Sequence, residues 1–143
     1  MSDISNYTSP HSALTRLLKK DSIPHYYGDI IRRLFILAGI IMFTLMPVFS
    51  DRIPEPTSIS ILAVIILVAG AGITNPKRAW TAYFDLAVSS IAIIVFEYYG
   101  ILTYSSSRSY TDSFFIVNQI LAVLFLLAFY YSVKTVRGTM IKN

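Results

Sequence analysis

Four stretches of this chain are too long, too apolar and too poor in charge to sit comfortably inside a soluble domain. Residues 34–49 read LFILAGIIMFTLMPVF, and three further runs of similar character follow before the C-terminus. A hydrocarbon core of about 30 Å is crossed by roughly 20 helical residues. Because no water is present there, every backbone N–H and C=O must be satisfied within the segment, so each run is read as a helix. The spans are expected at 30–49, 58–74, 79–104 and 114–133. The fold class is therefore an all-α integral membrane protein, four transmembrane helices in an up-down-up-down bundle with short loops.

Composition supports this and closes other routes. Of 143 residues, 55% are hydrophobic and 14% charged, against roughly 25% charged in a soluble domain. The net charge of +4 would suit an acidic partner such as nucleic acid. The basic residues instead flank the apolar runs and form no separate basic domain, so no nucleic acid is expected. The chain has no cysteine, which excludes disulfides, thiolate metal sites and cysteine nucleophiles. About thirty mostly polar residues precede the first span, whose exit Met46-Pro47-Val48-Phe49-Ser50-Asp51 lacks a small-residue cleavage pattern. A cleaved signal peptide is not expected.

Local signals mark the boundaries. Arg32 and Arg33 lengthen the first span by snorkelling to the headgroups, and Asp29 lies one helical turn before Arg33. Pro54-Glu55-Pro56 stops that helix, and Thr57 or Ser58 caps the next. Ala69-Gly70-Ala71-Gly72 gives the second helix a small-residue end where a neighbour can approach closely. Asn75-Pro76 opens the third helix, and the polar run 105–113 separates the third from the fourth.

Charge then orients the chain. Arg16, Lys19, Lys20, Arg32, Arg33, Lys77, Arg78, Lys134, Arg137 and Lys142 fall on one side, and only Arg52 and Arg108 on the other. By the positive-inside rule both termini are cytoplasmic. Aromatic residues agree: Tyr26, Tyr27, Trp80, Tyr83, Tyr130 and Tyr131 form an inner belt, and Tyr98, Tyr99, Tyr104 and Tyr110 an outer one. The basic set also offers contacts to anionic headgroups on the cytoplasmic leaflet. Residues 1–28 are a basic cytoplasmic tail. Within it, 10–20 places Leu14, Leu17 and Leu18 on one face and Arg16, Lys19 and Lys20 near the other, the pattern of a short interfacial helix; a disordered basic tail is the alternative. The transmembrane domain is 29–134, and 135–143 form a short C-terminal tail. Short loops and compactness point to a bacterial-type plasma (inner) membrane.

Chemistry concentrates in the third span. A carboxylate at mid-membrane costs roughly 2.5–3.5 kcal/mol on insertion scales, so Asp85 and Glu97 are expected to face protein or water. At 100° per residue, Thr81, Asp85, Ser89 and Ala92 share one face while Ser90 and Glu97 share another. Two polar contacts are expected, not one continuous wire. Arg33 or Lys134 can meet Asp85, and Asn118 or Gln119 can meet Glu97, as helix glue. The functional alternative is that one carboxylate binds a proton or cation.

Other chemistry is missing. His11 and His25 lie in the tail, and neither their spacing nor any H-E-x-x-H, G-x-S-x-G or phosphate-binding glycine motif defines a metal, nucleophile or cofactor site. No enzyme and no cofactor is expected. Size and span count resemble those of small multidrug exporters, which carry a carboxylate in the first span; residues 34–49 contain none, and the resemblance ends there. The expected role is a non-enzymatic membrane component, a small subunit or self-associating part of a membrane assembly. Its expected partners are the bilayer and other membrane proteins or further copies of itself. The alternative is a small oligomeric ion or proton-coupled transporter or channel using Asp85 or Glu97.

Overall fold

A computed structural model describes residues 27–53, 57–73 and 79–142. The basic tail with Arg16, Lys19 and Lys20, the interfacial helix expected at 10–20, and the turn with Lys77 and Arg78 lie outside the described residues. Among the described residues the structure is 93% helical and has no strand. The helices are α1 (Gly28–Phe49), α2 (Thr57–Ile73), α3 (Ala79–Ser107) and α4 (Ser113–Lys142), with a short 3-10 turn at Ser50–Arg52.

Helix ends follow from local chemistry. Asp29 sits in the first turn of α1, where a negative charge complements the helix dipole. Pro47 lies in its last turn, where it removes the hydrogen bond to the Phe43 carbonyl but leaves few further bonds to disturb. Asp112 caps α4: its Oδ1 accepts from the backbone N–H of Phe114 at 2.9 Å and of Phe115 at 3.4 Å, satisfying donors the helix cannot satisfy itself. α3 ends in a left-handed residue, Arg108 at φ 49°, whose N–H donates to the carbonyl of Tyr104 at 2.8 Å. Such a position closes a helix and favours glycine.

Aromatic contacts fix the register of the bundle. Phe96 stacks on Phe125 at 5.5 Å and Tyr104 tilts against Phe115 at 6.1 Å, so α3 and α4 are antiparallel. Tyr27–Tyr131, Phe35–Phe125 and Phe49–Phe114, at 5.4, 6.0 and 5.1 Å, lay α1 antiparallel along α4. A Cβ on Gly39 would lie 3.8 Å from Val68, and one on Gly70 would lie 3.6 Å from Phe35 and 3.0 Å from Phe84. The expected small-residue approach therefore occurs within the chain, where α2 meets both α1 and α3. Ile31, Phe35, Leu67, Leu121 and Phe125 form the centre of the core. The end of the bundle holding Tyr27, Trp80 and Lys134 is termed proximal, and the end holding Arg52 and Asp112 distal.

Around this apolar core, burial departs from that of a soluble protein. Thr81, Asp85, Ser89, Asn118, Ser132, Thr135 and Thr139 are buried, while Ile40, Phe43, Ile91 and Ile94 are 58–69% exposed. Exposed apolar surface on this scale marks a molecule surrounded by apolar material. Three helices are long and apolar enough to cross a membrane. α2, with 17 residues, is about 26 Å long at 1.5 Å per residue, slightly short of a core of about 30 Å.

Three boundaries differ from the hydropathy reading by two residues or more, the end of α3 at Ser107 instead of 104 among them. α1 begins at Gly28, and α4 continues nine residues beyond 133 to Lys142. Charged residues end an apolar window without ending a helix, and Thr135, Val136 and Thr139 are still buried here. The backbone N–H of Tyr27 donates to Thr135 Oγ1 at 3.3 Å, tying the start of α1 to this extension.

Candidate functional site

A buried polar seam occupies the proximal half of the α3–α4 contact. On α3, Thr81 and Asp85 are 2% exposed and Ser89 fully buried; their i, i+4 spacing keeps them on one face. The antiparallel register carried down from Phe96–Phe125 puts Ser89 level with Ser132, and Asp85 and Thr81 within one residue of the levels of Thr135 and Thr139. All three α4 partners are buried as well. The hydroxyls mostly satisfy themselves along their own helices: Ser89 donates to Asp85 O at 2.7 Å, Ser132 to Ala128 O at 2.8 Å and Thr135 to Tyr131 O at 3.0 Å. This back-bonding removes the cost of burying them.

Asp85 stands apart. Among the described residues its carboxyl group takes part in no hydrogen bond and no ion pair, Arg52–Asp112 being the one salt bridge there. Arg33 is exposed on α1. Lys134 instead lies over the faces of Tyr27 and Tyr130, 5.3 and 5.0 Å from the ring centres, a favourable place for an ammonium. A buried carboxyl with no partner among the described residues can take up or release a proton, or meet a cation entering the seam.

The remaining polar residues sit elsewhere. Glu97 is half-buried on another face of α3, and no hydrogen bond joins it to Asn118 or Gln119 among the described residues. Asn118 is buried and donates to Phe114 O at 2.7 Å. Gln119 packs its amide on Gly100, where an added Cβ would meet Nε2 at 2.6 Å. Ser90 donates to Leu86 O at 2.7 Å. Arg32 and Arg137 are exposed near the proximal end, suited to headgroup contact.

The distal half holds a different feature. α2 and α3 do not close on one another there, leaving an apolar cavity of about 680 Å³ between all four helices. Its floor is Leu121 and Phe125 on α4, with Met42 and Met46 on α1 as one wall. Phe114 and Tyr99 belong both to this cavity and to a second, polar pocket containing Asp51, Arg52, Thr103, Ser106, Ser107 and Asp112. Hydropathy gave no sign of either, since it does not say which helices separate. Among the described residues no cluster of three or more metal-ligating side chains is present.

The class indicated by this fold, its three membrane-length apolar helices and its exposed apolar surface is a helical membrane bundle. No family model, no curated protein and no solved structure matches the chain.

Proposed function

We propose that the chain is a non-enzymatic component of a membrane assembly, a small subunit or a self-associating bundle that crosses the bilayer four times with both termini in the cytoplasm. The proximal end, flanked by Arg32, Arg33, Lys134 and Arg137, is assigned to the cytoplasm by the positive-inside rule. A bacterial-type plasma membrane fits the short loops. One observation carries the assembly reading: the accessible surface is apolar helix flank, while the chemistry-bearing side chains of the seam are turned inward. Among the described residues, most of the surface that another protein can touch is apolar helix flank. Gentle extraction followed by crosslinking and mass spectrometry tests this. A stoichiometric partner or a defined homo-oligomer supports it, and a monodisperse monomer without partners overturns it.

A second reading is favoured by the carboxyl of Asp85, buried in the seam with no hydrogen bond or ion pair among the described residues. In an oligomeric transporter or channel this group binds the proton or cation within the seam, with Ser89 and Thr135 near its path. Asp85→Asn and Glu97→Gln separate the readings. Loss of ion flux in liposomes with assembly intact supports transport; dispersal of the complex instead identifies helix glue.

A further inference from the structure

We infer that the distal cavity and the polar pocket above it form one binding site for a single zwitterionic lipid bearing a primary ammonium headgroup, with an acyl chain in the cavity.

The shape argues for a lipid chain over a protein helix. From Phe114 to Phe125 the cavity floor runs eleven residues along α4, about 16 Å at 1.5 Å per residue. That is the depth of one leaflet of a hydrocarbon core about 30 Å thick. A partner helix needs a groove running the full thickness. This one is shut at its inner end, where Gly70 of α2 comes against Phe35 and Phe84. The lips are apolar and open sideways: Ile59 and Ile66 on α2 are 52% and 42% exposed, and Ile91 and Ile94 on α3 are 63% and 69% exposed. A volume of about 680 Å³ lies within the roughly 300–1,000 Å³ of ordinary ligand sites.

Charge selects the headgroup. The polar pocket holds two carboxylates, Asp51 and Asp112, and one guanidinium, Arg52. Arg52 bonds Asp112 at 2.9 Å, while Asp51 has no ion pair among the described residues. A primary ammonium pairs with the exposed Asp51 carboxylate and leaves the lipid phosphate within reach of Arg52's remaining donors. An anionic glycerol headgroup offers Asp51 no cation. Tyr99 and Phe114, shared by both pockets, stand at the junction of chain and head, where aromatic side chains favour the membrane interface. Apolar depth, lateral opening and a charge-matched head are thus continuous.

The inference rests on the membrane reading alone, so a lipid-retaining monomer sustains it while overturning the assembly proposal. The test uses the full chain in nanodiscs of equimolar phosphatidylethanolamine and phosphatidylglycerol, released into mild detergent for native mass spectrometry. The expected result is one retained phosphatidylethanolamine per chain, favoured about tenfold, the worth of one charge-assisted hydrogen bond. Ala92→Trp fills the cavity from α3 and should abolish retention; Ala63→Trp fills it from α2 should the first variant misfold. Ile40→Trp, on an exposed flank of α1 outside the cavity, should retain lipid as the wild type does. Asp51→Asn should keep retention and lose the headgroup preference. Equal retention by the filled variants and Ile40→Trp overturns the site. So does a lipid-free dimer crosslinked between α2 and α3. Equal retention of both headgroups by the wild type overturns the headgroup assignment.

Discussion

Nη1 of Arg52 donates to both carboxylate oxygens of Asp112, each at 2.9 Å, across sixty residues of sequence. The pair joins the turn after α1 to the residue that caps α4, so one carboxylate links two loops and starts a helix. Asp112→Asn removes the charge but leaves an oxygen to cap, whereas Asp112→Ala removes both. Thermal unfolding in detergent, followed by helix circular dichroism, should therefore rank wild type above Asp112→Asn and Asp112→Ala lowest. Equal melting of the two variants would mean the cap contributes nothing.

The same pair sets a pH dependence. The hydrogen bond from Arg52, aided by those from the Phe114 and Phe115 amides, holds the Asp112 carboxyl below its ordinary value of 3.8. Its contribution to stability is thus fully present above that value and is lost as pH falls through the lowered one. The melting difference between wild type and Asp112→Asn should be flat from about pH 5 upward and shrink below about pH 4. A difference that grows on acidification would reverse the sign and rule out this account.

Gly70 and Gly72 stand two residues apart on α2 and face different surroundings. A Cβ at Gly70 would press on Phe84 at 3.0 Å, but at Gly72 it meets nothing within 4 Å. Gly70→Val should destabilise by about 1–3 kcal/mol through overpacking. Gly72→Ala should be neutral or stabilise by up to about 1 kcal/mol, since alanine has less backbone entropy to lose. Denaturation of the two variants in matched micelles checks this, and equal losses would show that α2 does not pack as described.

Phe125 is 1% exposed and contacts Phe35 and Phe96, joining α1, α3 and α4. In a soluble core Phe→Ala costs about 3–5 kcal/mol. Within a bilayer the unfolded reference is itself apolar, so mainly the packing part survives. Phe125→Ala should therefore fall below that range yet well above Phe43→Ala, whose ring is 68% exposed to lipid. Steric-trap unfolding in bicelles measures both; equal costs would place Phe125 outside the core.

Hydropathy and period carried much of this architecture, and their failures have physical causes. The helices were legible because a bilayer forces apolar runs to satisfy their own backbones. Thr81, Asp85 and Ser89 were legible as one face because 3.6-residue periodicity aligns them, and all three are buried. The Arg52–Asp112 pair was not, as nothing local signals a partner sixty residues away. Neither was the extension of α4 past Lys134, because charge ends a hydropathy window while α-helical hydrogen bonding continues. The distal cavity depends on how far α2 diverges from α3, a tertiary property with no periodic trace in either helix.

Asp85 is where structure and function divide most cleanly. Its carboxyl is buried with no bonded partner among the described residues, so Asp85→Asn, nearly isosteric, takes away a charge-capable group and breaks no observed bond. The expected stability change is small, within about 0.5 kcal/mol, or a gain, since an amide avoids the desolvation of a carboxylate. Asp85→Lys should prevent folding, because the seam holds no anion to receive an ammonium. Proton or cation flux in liposomes is then read on the well-folded Asp85→Asn protein. Unchanged flux relative to empty vesicles in both wild type and variant removes the transport reading and leaves Asp85 as a residue of the helix contact. Flux present in the wild type and lost in the variant shows that the seam carries the ion.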